Sequence, residues 1–399
     1  MKGNLVVGQS GGPTAVINNS LVGVIHQALA SDQIEGIWGM AHGIQGMLQE
    51  EFYDLRRETP LTLDILRNTP ASALGTVRYR VKEEDYARLV EVMKKYNVRY
   101  FFYIGGNDSM DTTHKIDTVA KSVGYELYCI GVPKTIDNDL VLTDHCPGYG
   151  SAARFVASAI RNTAFDTEAM GDSGPIKLME IMGRNAGWLT AAAALARAHE
   201  EDAPHLLYIP ERPVSEEKLA ADVERVYNRY GYCVVGVSEG LRNERGEDFG
   251  TAGPGDVDAF GHRAKLGVVE AVAEVIRKHL GIRARFDKPG YLQRSFAELQ
   301  SPVDRDEAYQ AGGEAVRAAL RGETGKMVAF VRQPGPVYTV DMTLVPLEEV
   351  ANRERHLPDE YINAEGNGVT PAFLDYARPL IGGPLPPYAR LSKYMVPKR

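Results

Sequence analysis

Long hydrophobic runs, paired cysteines and an excess of basic residues are all missing from this sequence. A membrane-spanning helix needs about 20 consecutive apolar residues, and no segment has that length. The first residues also lack the apolar core of a signal peptide. We therefore expect a soluble, cytoplasmic protein with no membrane partner.

Cysteine, histidine and charge exclude further classes of site. The three cysteines, Cys129, Cys146 and Cys233, form no C-x-x-C pair, and we expect reduced thiols in the core. The nine histidines show no H-E-x-x-H motif, so a zinc site is not indicated. The net charge of −8 gives no general polyanion-binding surface, which argues against nucleic acid as a partner.

What the sequence does contain is a repeated alternation of apolar strands and helical segments. NLVVG, RYFFYIGG and ELYCIGV each precede a helical pattern, and the second half repeats this with PIKLMEIM, HLLYIP and YCVVGVSEG. Such alternation predicts an α/β fold with mainly parallel sheets covered by helices on both faces. The 399 residues are enough for two domains, each with its own core.

Two glycine turns follow predicted strands. In parallel sheets, ligands bind beyond the carboxyl ends of the strands, where such turns lie. In VVGQSGGPTAVINN, the glycines Gly8, Gly11 and Gly12 can let backbone amides approach an anion at the start of a helix. In RYFFYIGGNDSMD, Gly105 and Gly106 end a strand before Asp108 and Ser109. Taken singly, the first fits a tight turn without a ligand equally well, and the second favours a simple helix cap.

A third strand end, GVPKTIDNDL, brings Lys134, Asp137 and Asp139 close together. Two carboxylates at this spacing repel each other unless a cation or a proton-transfer role offsets the repulsion. A turn rich in Pro, Asp and Asn is the alternative. The three strand ends together suit a polyphosphate with magnesium, since amides can bind phosphate oxygens, carboxylates the metal, and lysine the spread charge.

Eight ordered motifs make the chain resemble the phosphofructokinase family over nearly its whole length: SGGPTAVIN, LGTVR, IGGNDS, PKTIDND, MGRNAGW, SEG, GYLQR and SPVDRDEA. The resemblance implies two Rossmann-like three-layer domains with the active site in the cleft between them. The first would comprise 1–149, completed by about 293–335, and would bind the phosphoryl donor. The second would comprise 150–292, completed by about 336–399, and would bind the sugar phosphate. A homodimer or homotetramer is also implied.

The resemblance also assigns roles to residues. Asp137 becomes the base that accepts the proton of the 1-hydroxyl of fructose 6-phosphate, assisted by Thr135, Asp139 and Lys134. The residues implied to bind the donor are Gly11, Gly12, Arg78, Gly106, Asn107, Asp108 and Ser109. Those implied to bind the sugar phosphate are Met182, Gly183, Arg184, Glu239, Arg285, Tyr291 and Arg294, and the family often supplies the positions of Arg285 and Tyr291 across a subunit interface.

Two departures from the ATP-type pattern concern the donor. ATP-using members that resemble this chain generally contain GGDGS and PGTIDND, whereas this chain has GGNDS and PKTIDND. Asp108 replaces a glycine that leaves room for the α-phosphate of ATP, and Lys134 can neutralise pyrophosphate. The resemblance therefore implies reversible pyrophosphate-dependent phosphorylation of fructose 6-phosphate. Because Asn107 stands where many members have a metal-binding aspartate, we assign Mg²⁺ to Asp108.

The sequence leaves four alternatives. The same fold could use ATP, or a pyrophosphate-dependent kinase could also act on sedoheptulose 7-phosphate. A dinucleotide-binding oxidoreductase would fit the glycine turns, but no acidic residue follows a second strand at the expected spacing. A non-catalytic sugar-phosphate sensor would not need the intact TIDND motif.

Overall fold

The computed structural model describes residues 1–76, 79, 81–249 and 267–398. Its strands are β1 (Gly3–Gln9), β2 (Ile34–Met40), β3 (Phe52–Asp54), β4 (Val98–Gly105), β5 (Tyr128–Pro133), β6 (Ile176–Ile181), β7 (Leu206–Tyr208), β8 (Cys233–Ser238), β9 (Arg285–Asp287), β10 (Lys326–Arg332) and β11 (Val340–Pro346). Its α-helices are α1 (Ile17–Leu29), α2 (Ile44–Gln49), α3 (Pro60–Leu66), α4 (Glu83–Lys95), α5 (Asn107–Ser122), α6 (Tyr149–Met170), α7 (Trp188–Ala192), α8 (Glu216–Tyr230), α9 (Val268–Leu280), α10 (Leu292–Ser295), α11 (Pro302–Leu320), α12 (Leu347–Val350) and α13 (Pro371–Ala377).

The strands form two sheets, as the alternating pattern predicted. The larger sheet has the order β11-β10-β5-β4-β1-β2-β3, and the smaller has the order β7-β8-β6-β9. Among these strands of the described residues, antiparallel pairing occurs only at the two edges of the larger sheet, between β2 and β3 and between β10 and β11. The predicted α/β fold with mainly parallel sheets is thus confirmed.

Both faces of the larger sheet are buried, because successive side chains of a strand point to opposite sides. Leu5 and Val7 of β1 pack into the core that contains α1 and α11, whereas Val6 packs into the core that contains α4 and α5. The smaller sheet repeats this arrangement: Leu178 of β6 packs towards α8 and α9, and Met179 packs towards α6 and α7. Each sheet therefore forms the middle of three layers.

The three cysteines are buried free thiols, as expected. No helix in the described ranges is long and apolar enough to cross a membrane.

The chain crosses between the two sheets more than once. After the smaller sheet, α11 packs against α1, and β10 extends the larger sheet beside β5. The sequence assigned 336–399 to the sugar-phosphate domain, whereas β11, within that range, pairs with β10 in the larger sheet. The domain boundaries at 149 and 292 remain a prediction.

Candidate active site

A cavity of about 760 Å³ lies where the chain leaves the carboxyl ends of β1, β4 and β5. Parallel strands end at the same edge of their sheet, which is why three segments distant in sequence meet there. The structure brings together at this cavity every described residue that the sequence assigned to catalysis or donor binding: Gly11, Gly12, Gly106, Asn107, Asp108, Ser109, Lys134, Thr135, Asp137 and Asp139. Arg78 lies outside the described residues.

The first glycine turn allows two cationic side chains to approach the backbone. Gly11 has a φ of +73°, a conformation that glycine adopts without strain. The Lys134 Nζ donates a hydrogen bond to the Gly12 carbonyl at 2.7 Å. A Cβ atom on Gly12 would lie only 2.4 Å from Nη1 of Arg294. Larger residues at this turn would therefore displace the two cations.

The second glycine turn opens α5 and does not act as a side-chain cap. Gly106 occupies the N-cap position without a side-chain hydrogen bond, so Asp108 and Ser109 lie within the first helical turn. The interpretation of Asp108 and Ser109 as a simple helix cap is therefore wrong. A Cβ atom on Gly105 would lie 2.0 Å from the Ser109 Oγ, so glycine is needed for this close approach. The first amides of a helix have no intrahelical partner and can bind an anion.

The third loop alternates side chains between the cavity and the protein interior. Asn138 has a φ of +56°, and its buried side chain turns inward. Its Nδ2 donates to the Tyr376 hydroxyl at 2.9 Å, and its Oδ1 accepts from the Cys146 amide at 2.9 Å. Asp137 and Asp139, on either side, face the cavity instead. This alternation explains the spacing of the two carboxylates.

Burial and neighbouring charges shift the ionisation of this loop. Loss of water, together with the nearby carboxylates of Asp139 and Glu239, raises the pKa of Asp137 to about 7, although Lys134 opposes the rise. Burial lowers the pKa of Lys134 to about 8, against the attraction of Asp137. Burial also raises the pKa of Asp139. A carboxylate with a pKa near 7 can accept a proton efficiently at neutral pH.

Residues that follow strands of the smaller sheet lie near the same cavity. Met182 and Gly183 follow β6, and Glu239 follows β8. The Gly183 amide donates to Glu239 Oε1 at 3.4 Å, and the Met182 amide donates to Gln293 Oε1 at 3.0 Å. Gln293 is followed by Arg294, whose guanidinium lies beside Gly12, so the loop after β6 connects to the first glycine turn of the larger sheet.

The three arginines predicted to bind the sugar phosphate occupy different positions. The Arg294 guanidinium lies over the Tyr291 ring at 4.2 Å from its centroid and beside Gly12. Arg184 is exposed on the loop after β6. Arg285, by contrast, pairs with Lys177 near the amino end of β6 and donates from Nη2 to the Ser173 carbonyl at 3.0 Å.

Arg285 therefore lies at the opposite edge of the smaller sheet. Its position is about four residues, or roughly 13 Å at 3.3 Å per residue, from the carboxyl end of β6. The structure does not bring it to the cavity of its own chain. Tyr291 is 64% exposed, although its ring contacts Arg294.

The sequence did not identify the residues that the segment after α12 contributes. Asn352 and Glu354 line the cavity, although the sequence assigned this part of the chain no role at the site. The Glu354 carboxylate accepts from the Asn185 Nδ2 at 3.1 and 3.2 Å and raises the pKa of both Asp137 and Asp139. No local motif marks these residues, because only the long-range path of the chain brings them to the cavity.

The cavity fits a metal that binds together with a phosphate ligand. In the ranges that the structure describes, no group of three or more His, Cys, Asp or Glu side chains is placed to hold a metal. Asp108 is exposed at the cavity, and the Asn107 Oδ1 is buried without a hydrogen-bond partner. Magnesium commonly takes one or two carboxylates and completes its shell with substrate phosphates and water. Asp108 and the Asn107 oxygen suit that mode.

Comparisons with known proteins agree with these features. A family model described as Phosphofructokinase matches residues 4–319. The chain is 42% identical to a pyrophosphate--fructose 6-phosphate 1-phosphotransferase of Rhodospirillum rubrum, with 100% of this chain and 98% of the relative covered. It is 33% identical to a sulfofructose kinase of Alkalicoccus urumqiensis, with 90% and 91% covered. A crystal structure of a pyrophosphate-dependent phosphofructokinase from Marinobacter aquaeolei matches with a TM-score of 0.87 and 37% identity, covering 100% of this chain and 98% of that one. The chain therefore belongs to the phosphofructokinase family.

Proposed function

We propose that this protein transfers a phosphoryl group from pyrophosphate to the 1-hydroxyl of fructose 6-phosphate, releasing phosphate and fructose 1,6-bisphosphate. The observation that carries the proposal is the Asp137 carboxyl group, with a pKa near 7, beside the buried Lys134 in a cavity bordered by two glycine turns. The name of the Rhodospirillum rubrum relative supports the same reaction.

In the proposed reaction, Asp137 accepts the proton as the sugar oxygen forms a bond to one phosphorus atom of pyrophosphate. The bond from that phosphorus to the bridging oxygen breaks, and the electron pair leaves with inorganic phosphate. Lys134 and the first amides of α5 stabilise the negative charge of the donor during the transfer. A phosphoanhydride donor without a nucleotide makes the reaction readily reversible.

Enzymes of this family generally act with a divalent metal ion. We assign the metal as Mg²⁺ and its protein ligand as Asp108, with Asn107 beside it. When bound, Mg²⁺ supplies positive charge at the donor phosphates. We propose that Thr135 and Asp139 assist Asp137. The Thr135 Oγ1 accepts a hydrogen bond from the Asp137 amide at 3.0 Å, and the Asp139 Oδ2 accepts one from the Asn107 Nδ2 at 3.4 Å.

The sugar phosphate is proposed to bind between Glu239, the amides of Met182 and Gly183, and the guanidinium groups of Arg184 and Arg294. Arginine suits a phosphate because its planar fork can form two parallel hydrogen bonds. Arg285 lies at the far edge of the smaller sheet, so we propose that Arg285 and Tyr291 serve a second copy of the chain in a homodimer or homotetramer.

Donor choice is proposed to rest on Asp108 and Lys134. A carboxylate at position 108 repels and crowds a nucleotide, whereas the ammonium group attracts the compact charge of pyrophosphate. The carbonyl of Gly12 holds that ammonium in place.

The experiment measures initial rates with fructose 6-phosphate and saturating Mg²⁺, with either pyrophosphate or ATP as donor. We expect turnover with pyrophosphate and little or none with ATP. Sedoheptulose 7-phosphate and sulfofructose are tested in parallel, because they keep a terminal anion but change the sugar or the anion. Faster turnover with ATP would reject pyrophosphate as the donor. A higher kcat/KM for another sugar would reject fructose 6-phosphate as the preferred acceptor.

A further inference from the structure

The catalytic loop between β5 and α6 has no helix or strand of its own to fix its backbone. It carries Asp137 and Asp139, and the backbone at Asn138 between them adopts a left-handed conformation. Conformations of this kind persist where surrounding contacts determine them. A group outside the loop must therefore hold it.

Arg355, which follows α12, makes these contacts. Its Nε and Nη2 donate to the Asn138 carbonyl at 3.2 and 2.8 Å. Its Nη1 donates to the carbonyls of Thr143 and Asp144, each at 2.6 Å. Its backbone amide also donates to the Asp139 carbonyl at 2.7 Å. One residue thus binds four carbonyls of the catalytic loop.

The other side of Arg355 contacts the sugar-phosphate side of the site. Its guanidinium lies over the ring of Trp188, 4.5 Å from the centroid, and the Trp188 Nε1 donates to the Arg355 carbonyl at 3.0 Å. Trp188 is buried and begins α7, directly after the loop that contains Met182 and Arg184. Arg355 therefore joins the loop that carries the base to the helix beside the substrate loop.

We propose that Arg355 is a positioning residue that fixes the direction of the Asp137 carboxylate towards the reacting hydroxyl. The proposal rests on the proposed function of Asp137 as base. The three guanidinium nitrogens bind the carbonyl of Asn138 and two further carbonyls, so they anchor the backbone that carries Asp137 one residue before Asn138. A displacement of about 1 Å at a reacting group can reduce turnover about 100-fold.

A lysine cannot replace this arrangement. Its ammonium is a single point charge, whereas the planar guanidinium reaches three carbonyls at once and stacks on an indole ring. Arg355→Lys keeps the charge and removes the geometry, which separates positioning from electrostatics. Arg353, two residues earlier and exposed, provides the matched control Arg353→Lys.

The test compares kcat and KM of Arg355→Lys, Arg353→Lys and the wild type. We expect kcat of Arg355→Lys to fall about 10- to 100-fold, with the KM values of both substrates within about threefold of the wild type. Arg353→Lys should retain wild-type kcat. A kcat above half of the wild-type value in folded Arg355→Lys, or a loss confined to KM, would overturn the proposal. Circular dichroism and the Tm establish folding, and Arg355→Gln replaces the variant if the lysine form does not fold.

A double-mutant cycle distinguishes positioning of the base from a general structural effect. Because Arg355 acts through Asp137, Arg355→Lys should change kcat by less than about threefold when Asp137 is already Asn. A fall as large as in the wild-type background would show that Arg355 acts through another group.

The outcome also separates this inference from the proposed function. All variants are measured with whichever phosphoryl donor the wild type uses, so absence of pyrophosphate turnover refutes only the donor. Hydrogen exchange of the peptides covering 138–145 gives a readout without turnover. We expect faster exchange in Arg355→Lys than in Arg353→Lys, and equal rates would contradict the anchoring role.

Discussion

Replacing Asp137 by Asn should abolish most activity and, above neutral pH, make the protein more stable. The carboxyl group has a pKa of about 7 in the folded protein, compared with 3.8 ordinarily. Between these pH values the folded state binds more protons than the unfolded state, so ionisation of Asp137 lowers stability as the pH rises. Asn carries no charge and removes this loss.

The size of the effect follows from the shift. About three pKa units, at about 1.4 kcal/mol each, give an upper limit of about 4 kcal/mol above pH 7 and nothing below about pH 4. Lys134 loses an anionic neighbour in the variant, which offsets part of the gain. We expect a net gain of about 2 to 3 kcal/mol at pH 8, or a rise in Tm of a few degrees.

The assay is thermal unfolding of the wild type and Asp137→Asn from pH 5 to 8.5, together with kcat at pH 7.5. The exposed Asp32, changed to Asn, provides the same change of charge away from the site. The Tm difference for Asp137→Asn should grow with pH up to about 7 and then level, while kcat falls about 10²- to 10⁴-fold. A Tm difference that is constant across this range, or a variant that is less stable at pH 8, would refute the reasoning.

Three further predictions concern binding, donor choice and pH dependence. Alanine at Arg184 or Arg294 should raise KM for fructose 6-phosphate about 10- to 100-fold, and a rise in KM for pyrophosphate alone would reassign that arginine to the donor. The double change Asp108→Gly and Lys134→Gly should shift the ratio of kcat/KM for ATP over pyrophosphate by several kcal/mol, and a ratio within about threefold of the parent would place donor choice elsewhere. Glu354→Gln removes a charge that raises the pKa of Asp137, the proposed base, so the acid limb of kcat/KM against pH should move to lower pH, and an unchanged limb would show that Glu354 does not act on Asp137.

The fold was predictable because its signals are local and repeated. Apolar runs such as RYFFYIGG are buried on both faces in a parallel sheet, so they lack the alternation of an exposed strand and are easily found. The helix predicted after the first glycine turn forms as Ile17–Leu29. The antiparallel edge strand Val340–Pro346 was not predicted, since its pairing depends on a distant partner.

The meeting of the three loops at one cavity was predictable for the same reason. Glycine turns and the TIDND motif follow strands directly, and parallel strands bring their carboxyl ends to one edge. Glu354 and Arg355 were missed because their neighbours in sequence indicate nothing about the loop at 134–148, about 200 residues earlier. Arg285 is a different case, because a motif marked it but the structure places it away from the cavity. A motif position does not show at which edge of a sheet, or in which copy of the chain, a side chain acts.

The most direct measurement of the central claim is a competition experiment followed by ³¹P NMR. Fructose 6-phosphate, pyrophosphate and ATP are mixed with Mg²⁺ and the wild-type protein, with Asp137→Asn as the control. We predict that the pyrophosphate signal decays while phosphate and fructose 1,6-bisphosphate appear in equal amounts, that the ATP signals persist, and that the control shows little change. Loss of the γ-phosphate signal of ATP with pyrophosphate left intact would contradict the account.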